Sequence, residues 1–87
     1  MVYAWEFNNP EDALPVLQWP ERAQAALVAF MDALVFDPYN YARKPSEPAG
    51  RAMRWLDFDA GGGLVTVVMD DRKRLVLIVD AHHADAP

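Results

Sequence analysis

The 87-residue sequence contains no cysteine. No disulfide and no thiolate metal site can form from it. It also lacks a long hydrophobic run. The longest, Ala25 to Met31, holds seven residues, against roughly 20 for a membrane helix. The opening residues, Met1-Val2-Tyr3-Ala4-Trp5-Glu6, lack the basic end and apolar core of a signal peptide. These absences lead to the expectation of a soluble, cytoplasmic protein with no membrane partner. Glycine is scarce, four in all, and three stand together as Gly61-Gly62-Gly63. That triplet is not a phosphate loop, because no Lys-Ser/Thr pair follows it and it opens a strand rather than a helix. It reads as a flexible turn. Positive charge is short as well: 8 Lys and Arg stand against 13 Asp and Glu, a net charge of −5. Phosphate affinity scales with the cations presented, so the overall acidity argues against strong non-specific nucleic-acid binding. The deficit is uneven. Residues 1–42 carry one Arg against six acids, whereas 43–54 carry Arg43, Lys44, Arg51 and Arg54 against Glu47 alone. A local basic face on an acidic body stays open.

What is present is a hairpin and its cover. Leu64 to Met69 and Leu75 to Val79 are rich in Val, Leu and Ile, and Asp70 to Arg74 between them has nothing apolar. This is a strand, a charged turn and a strand. The first strand is apolar on both faces, which places it inside a sheet or under a helix. Val2 to Phe7 sets Tyr3, Trp5 and Phe7 on one face and predicts an N-terminal strand. Asn9 and Pro10 can start a short helix that Pro15 would disturb. The main helix opens at Pro20, runs to about Phe36 and stops before Asp37-Pro38. Its apolar stripe is Ala23, Leu27, Phe30 and Leu34, with Ala26 and Met31 beside it. Tyr39 to Gly50 reads as a loop, and Arg51 to Asp59 alternates as a strand. On it Arg51, Met53, Trp55 and Asp57 face one way, and Ala52, Arg54, Leu56 and Phe58 the other. The expected fold is α+β in one domain. An N-terminal strand and a C-terminal three-stranded meander make a small antiparallel sheet under one main helix, with a short first helix.

Several residues can carry chemistry, and each has a plainer reading. His82 and His83 are adjacent on a strand and point to opposite faces, so one metal would rarely take both. No metal and no cofactor are expected. One imidazole can move a proton, or both can be ordinary surface groups. Tyr39 and Tyr41 lie in a loop beside Arg43 and Lys44, where ring and cation can stack on and clamp a nucleotide. The same tyrosines can equally pack the loop. Arg51 and Arg54 are an odd spacing apart, so one can reach a ligand while the other covers a neighbour. Arg72-Lys73-Arg74 is a solvated turn.

The opening aromatic strand, the stretch QWPERAQAALVAFMDALVFDPYNY and the stretch GLVTVVMDDRKRLVLIVDAHH together resemble the RelE/ParE toxin superfamily of type II toxin–antitoxin systems. Trp19-Pro20 stands where members commonly open the long helix, and Asp37-Pro38 where they close it. The Gly63-Leu64-Val65-Thr66 opening is similar to small actinobacterial RelE-like proteins. The resemblance implies a ribosome-dependent mRNA interferase, an endoribonuclease that inhibits translation and is neutralised by a cognate antitoxin. In such a reaction the 2′-OH of the mRNA attacks the neighbouring phosphate, so cations and a proton-moving group are needed nearby. By the resemblance, Arg43, Lys44 and Arg51, with Tyr39 and Tyr41, would hold RNA. Arg54 with His82 or His83 would be catalytic. The ribosome and mRNA would be further partners.

The third strand begins Gly63-Leu64, where active members usually show Tyr-Arg, and no Tyr follows the histidines. These differences motivate an alternative: a degenerate RelE-like module that binds a partner chain or forms a homodimer. Its edge strand, Val2–Phe7 or Arg51–Asp59, would accept another strand.

Overall fold

The structure is a computed structural model that describes residues 2–38 and 51–86. Its elements run β1 (Ala4–Phe7), a 3-10 turn (Pro10–Ala13), α1 (Leu14–Leu17), α2 (Glu21–Leu34), β2 (Arg51–Phe58), a second 3-10 turn (Asp59–Gly61), β3 (Gly63–Asp70) and β4 (Leu75–His83). The α+β class, the meander and the helical cover agree with the sequence reading.

One pairing corrects it. The sheet order is β1-β4-β3-β2. β2–β3 and β3–β4 are antiparallel, but β1 runs parallel to β4, with Ala4 opposite Leu75 and Phe7 opposite Ile78. The sheet is therefore mixed. The chain leaves β1, crosses the sheet through α2 and re-enters at the far edge as β2. Two antiparallel turns then bring β4 back beside β1 in the same direction. Both strands named as candidate edges, β1 and β2, are edges.

Pro15 does not end the first helical segment. It falls in the first turn of α1, where a missing amide costs nothing. The 3-10 turn before it is closed by the Asp12 carboxylate, which accepts the Asn9 amide at 3.1 Å. α2 starts one residue later than expected, with Pro20 as its N-cap. It buries Ala23, Leu27, Met31 and Leu34, a stripe at spacings of four and three. Phe30 and Ala26 flank that stripe half-buried.

The stripe lies on one face of the sheet, formed by Val65, Val67 and Met69 of β3, Val76, Ile78 and Ala81 of β4, and Leu56 and Phe58 of β2. Removing a large side chain of this kind from water is worth about 1.5–3 kcal/mol. The other face shows Met53, Trp55 and Leu64 exposed to solvent. Among the described residues no helix covers that outer face.

Alternation along β4 is interrupted once. Thr66 pairs with Asp80 and Val67 with Ile78, so Val79 is bulged out of the ladder. Val76 and Ile78 face the core before the bulge, and Ala81 and His83 face it after.

Two glycines of the triplet have different jobs. Gly61 sits at φ 88, a left-handed conformation that suits glycine. Gly63 is needed for space: a Cβ there would lie 2.2 Å from the Phe58 ring. The flexible-turn reading of the triplet therefore misses a packing requirement.

Candidate functional site

β4 ends beside α1, and a cavity of about 440 Å³ opens between them. Pro15, Gln18 and Trp19 form one wall, and Asp80, Ala81, His82 and His83 of β4 form the other. The two histidines separate there, as strand alternation requires. Because of the bulge at Val79, His82 turns to solvent and His83 turns inward.

His82 is 71 % exposed, and its Nε2 lies 2.8 Å from Asp80 Oδ2. Residues two apart on a strand share a face, which is why this pair forms. A carboxylate on one imidazole nitrogen leaves the other nitrogen for a substrate proton. An exposed, oriented imidazole at a cavity rim can act as a general base.

His83 is built into the core. Its side chain is 2 % exposed. The Trp19 and Phe58 rings lie 5.6 and 5.9 Å from it. Nδ1 accepts the Asp85 amide at 3.0 Å, so the Nε2 proton is given to the Asp59 carboxylate at 2.7 Å. Both ring nitrogens are thus engaged within the protein. Arg22 of α2 bridges Asp59 and Asp85 at 3.0 and 2.7 Å. Four side chains, from α2, the β2–β3 turn, β4 and the segment after it, form one network. The hydrogen bond from His83, followed by that from Arg22, lowers the Asp59 carboxyl below its usual range. The same two acids raise Arg22. Asp59 adopts φ 53 and the next residue, Ala60, φ 54. A non-glycine residue rests there only where its surroundings hold it, and Asp59 is held from two sides.

Arg54 is 3 % exposed, on the helix-covered face beside Leu56 and Phe58. Its Nη1 donates to the Met53 carbonyl at 2.9 Å. It pairs across to Val67, whereas His82 pairs to Leu64 on the outer face. Arg54 and His82 therefore lie on opposite faces, on strands separated by β3. The structure does not gather Arg54, His82 and His83 around one point. Arg51 begins β2 opposite Asp70. Tyr39, Tyr41, Arg43 and Lys44 lie outside the described residues. Asp80 and Gln18 were missed as site residues. The i, i+2 spacing of Asp80 and His82 was the available signal, whereas nothing in the sequence pointed to Gln18. Among the described residues, no group of His, Asp and Glu has the arrangement of a metal site, and no helix is long and apolar enough to cross a membrane.

No family model matches the chain, and no curated protein matches it. A solved structure does: the archaeal RelE of the RelE–RelB complex from Pyrococcus horikoshii OT3. It superposes with a TM-score of 0.76 over 97 % of both chains, at 12 % sequence identity. At that identity the likeness concerns architecture, and this chain has a RelE-like fold.

Proposed function

We propose that this chain is a RelE-like toxin of a type II toxin–antitoxin pair, held inactive by a cognate antitoxin. The observation that carries the reading is the full-length fold match to an archaeal RelE taken from its complex with RelB. The exposed Met53, Trp55 and Leu64 on the outer face support it, because a partner chain would remove this apolar surface from water. The activity we assign is ribosome-dependent mRNA cleavage in the cytoplasm. His82, oriented by Asp80, takes the proton of the attacking 2′-OH. Arg43, Lys44 and Arg51, with Tyr39 and Tyr41, supply phosphate and base contacts. Arg54 and His83 hold the scaffold.

The buried position of Arg54 favours a second reading, a catalytically silent RelE-like module that binds a partner or dimerises through an edge strand. Induced expression separates the two. A toxin arrests growth, and co-expression of a small neighbouring gene relieves the arrest. The wild-type protein then cleaves mRNA on programmed ribosomes and His82→Ala does not. Normal growth together with intact mRNA at micromolar protein would leave only the binding module.

A further inference from the structure

β1 stops at Phe7, opposite Ile78. The Asn8 amide closes that pairing on the Ile78 carbonyl at 2.8 Å. β4 runs on to His83. Residues 79–83 thus have β3 on one side and, among the described residues, no strand on the other. Backbone groups on a strand alternate between its two sides. The Ala84 amide bonds the Gly62 carbonyl beyond the end of β3. By alternation His82 and Asp80 also address β3, while Ala81 and His83 turn their backbone groups outward. The His83 carbonyl is taken by the Ala86 amide at 3.0 Å. The Ala81 amide and carbonyl are left facing the cavity that Ala81 lines.

Asp80 is the one carboxylate among the described residues that line that cavity. Asp80 uses Oδ2 to hold His82, and its Oδ1 has no hydrogen-bond partner among the described residues. The Gln18 side-chain amide is likewise unengaged there. Among the described residues no Lys or Arg lines the cavity. The Trp19 indole and the Pro15 ring supply the apolar wall, and the chain as a whole carries −5. A phosphate entering would meet the Asp80 carboxylate with no Lys or Arg of the described wall to offset it, while the His82 and His83 imidazoles are already engaged with Asp80 and Asp59. A guanidinium or ammonium would meet a carboxylate, an amide oxygen and a ring face.

The geometry points to a side-chain site: the cavity receives a Lys or Arg side chain from an extended segment of a protein partner whose backbone pairs with Ala81. Edge pairing of this kind draws affinity from main-chain hydrogen bonds and specificity from side-chain pockets. The inference rests on the toxin reading in that the partner is the antitoxin. It adds how neutralisation works at this site. The basic side chain takes the Asp80 carboxylate that orients His82 and fills the space beside the imidazole.

The test is an NMR titration of the full chain with Nα-acetyl-arginine N-methylamide, with the citrulline analogue as uncharged control. A single side chain binds weakly, so probe concentrations on the order of tens of millimolar are needed. The expected result is shifts at Gln18, Ala81 and His82 with the arginine probe and not with the citrulline probe. Binding should weaken about tenfold in Asp80→Asn, as expected for loss of a charge-assisted hydrogen bond. Equal response to both probes, shifts confined to other residues, or no shift would overturn the proposal. So would a short RNA oligonucleotide that shifts these residues where the arginine probe does not. Arginine binding by a chain that leaves growth untouched would keep the site and remove the toxin reading; a toxic chain indifferent to arginine would do the reverse.

Discussion

The His83 imidazole and the Asp59 carboxylate, 24 residues apart in sequence, meet at 2.7 Å. The contact joins the end of β4 to the turn that starts β3. It also fixes the tautomer, because Asp85 supplies an N–H to the other ring nitrogen. A histidine next to the C-terminus looks like a catalytic group in the sequence. Here it is a fastener, and its neighbour His82 is the imidazole left exposed.

Asp59 gives stability a dependence on acid. Its carboxyl is lowered from 3.8 by the His83 hydrogen bond and then by Arg22. The unfolded chain therefore takes up this proton more readily than the folded one. The stabilisation is complete above about pH 4 and is lost as pH falls through the lowered folded value. Melting temperatures should show wild type above Asp59→Asn at neutral pH, with the gap closing in acid. Parallel curves would show that the contact does not link to folding.

The two histidines should respond oppositely to truncation. His83→Ala opens a void beside Trp19 and Phe58 and strips Asp59 of a donor, at a cost of about 2–4 kcal/mol in urea unfolding. His82→Ala changes an exposed position and should stay within about 0.5 kcal/mol. Nitrogen shifts should place the His83 proton on Nε2. A destabilised His82→Ala beside an unaffected His83→Ala would reverse the assignment.

Gly63 and Phe58 are coupled through space. A methyl at Gly63 would enter the Phe58 ring, so Gly63→Ala should cost about 1–3 kcal/mol from overpacking. Phe58→Leu makes room, so the double variant should lose less than the sum of the singles. Additive losses would mean that the cost arises elsewhere.

Arg54 tests the division between scaffold and chemistry. Arg54→Ala removes a buried cation and its stem and should cost about 3 kcal/mol. Arg54→Met keeps the stem and removes the charge, so most of the stability should return, to within about 1.5 kcal/mol of wild type. A stable Arg54→Met protein that has lost ribosomal cleavage would move Arg54 back to the active site.

Much of the architecture was legible because local chemistry and global fold agree. The Val-rich hairpin, the Ala23–Leu27–Leu34 stripe and the stop at Asp37-Pro38 each follow from neighbours within one turn or one strand. The parallel β1–β4 pair was not legible, because partners some seventy residues apart are chosen by where the crossover lands. Alternation placed Arg54 with Leu56 and Phe58. It did not say which face the helix covers, and that choice decides whether Arg54 meets solvent. Asp59 reads as a turn residue in the sequence. Its place beside His83 appears only when β3 and β4 are paired.

The bulge at Val79 acts as a switch of phase. Counting inward positions from Val76 and Ile78 without it would send Asp80 and His82 into the core and leave His83 in solvent. One inserted residue exchanges the fates of two identical neighbours. Deleting Val79 should therefore leave both where they are, because Ile78, Ala81 and His83 then alternate inward without a bulge, whereas a regular ladder that kept Val79 would trade them. Which imidazole is buried and which meets solvent in this chain is set by the parity of the strand that carries both.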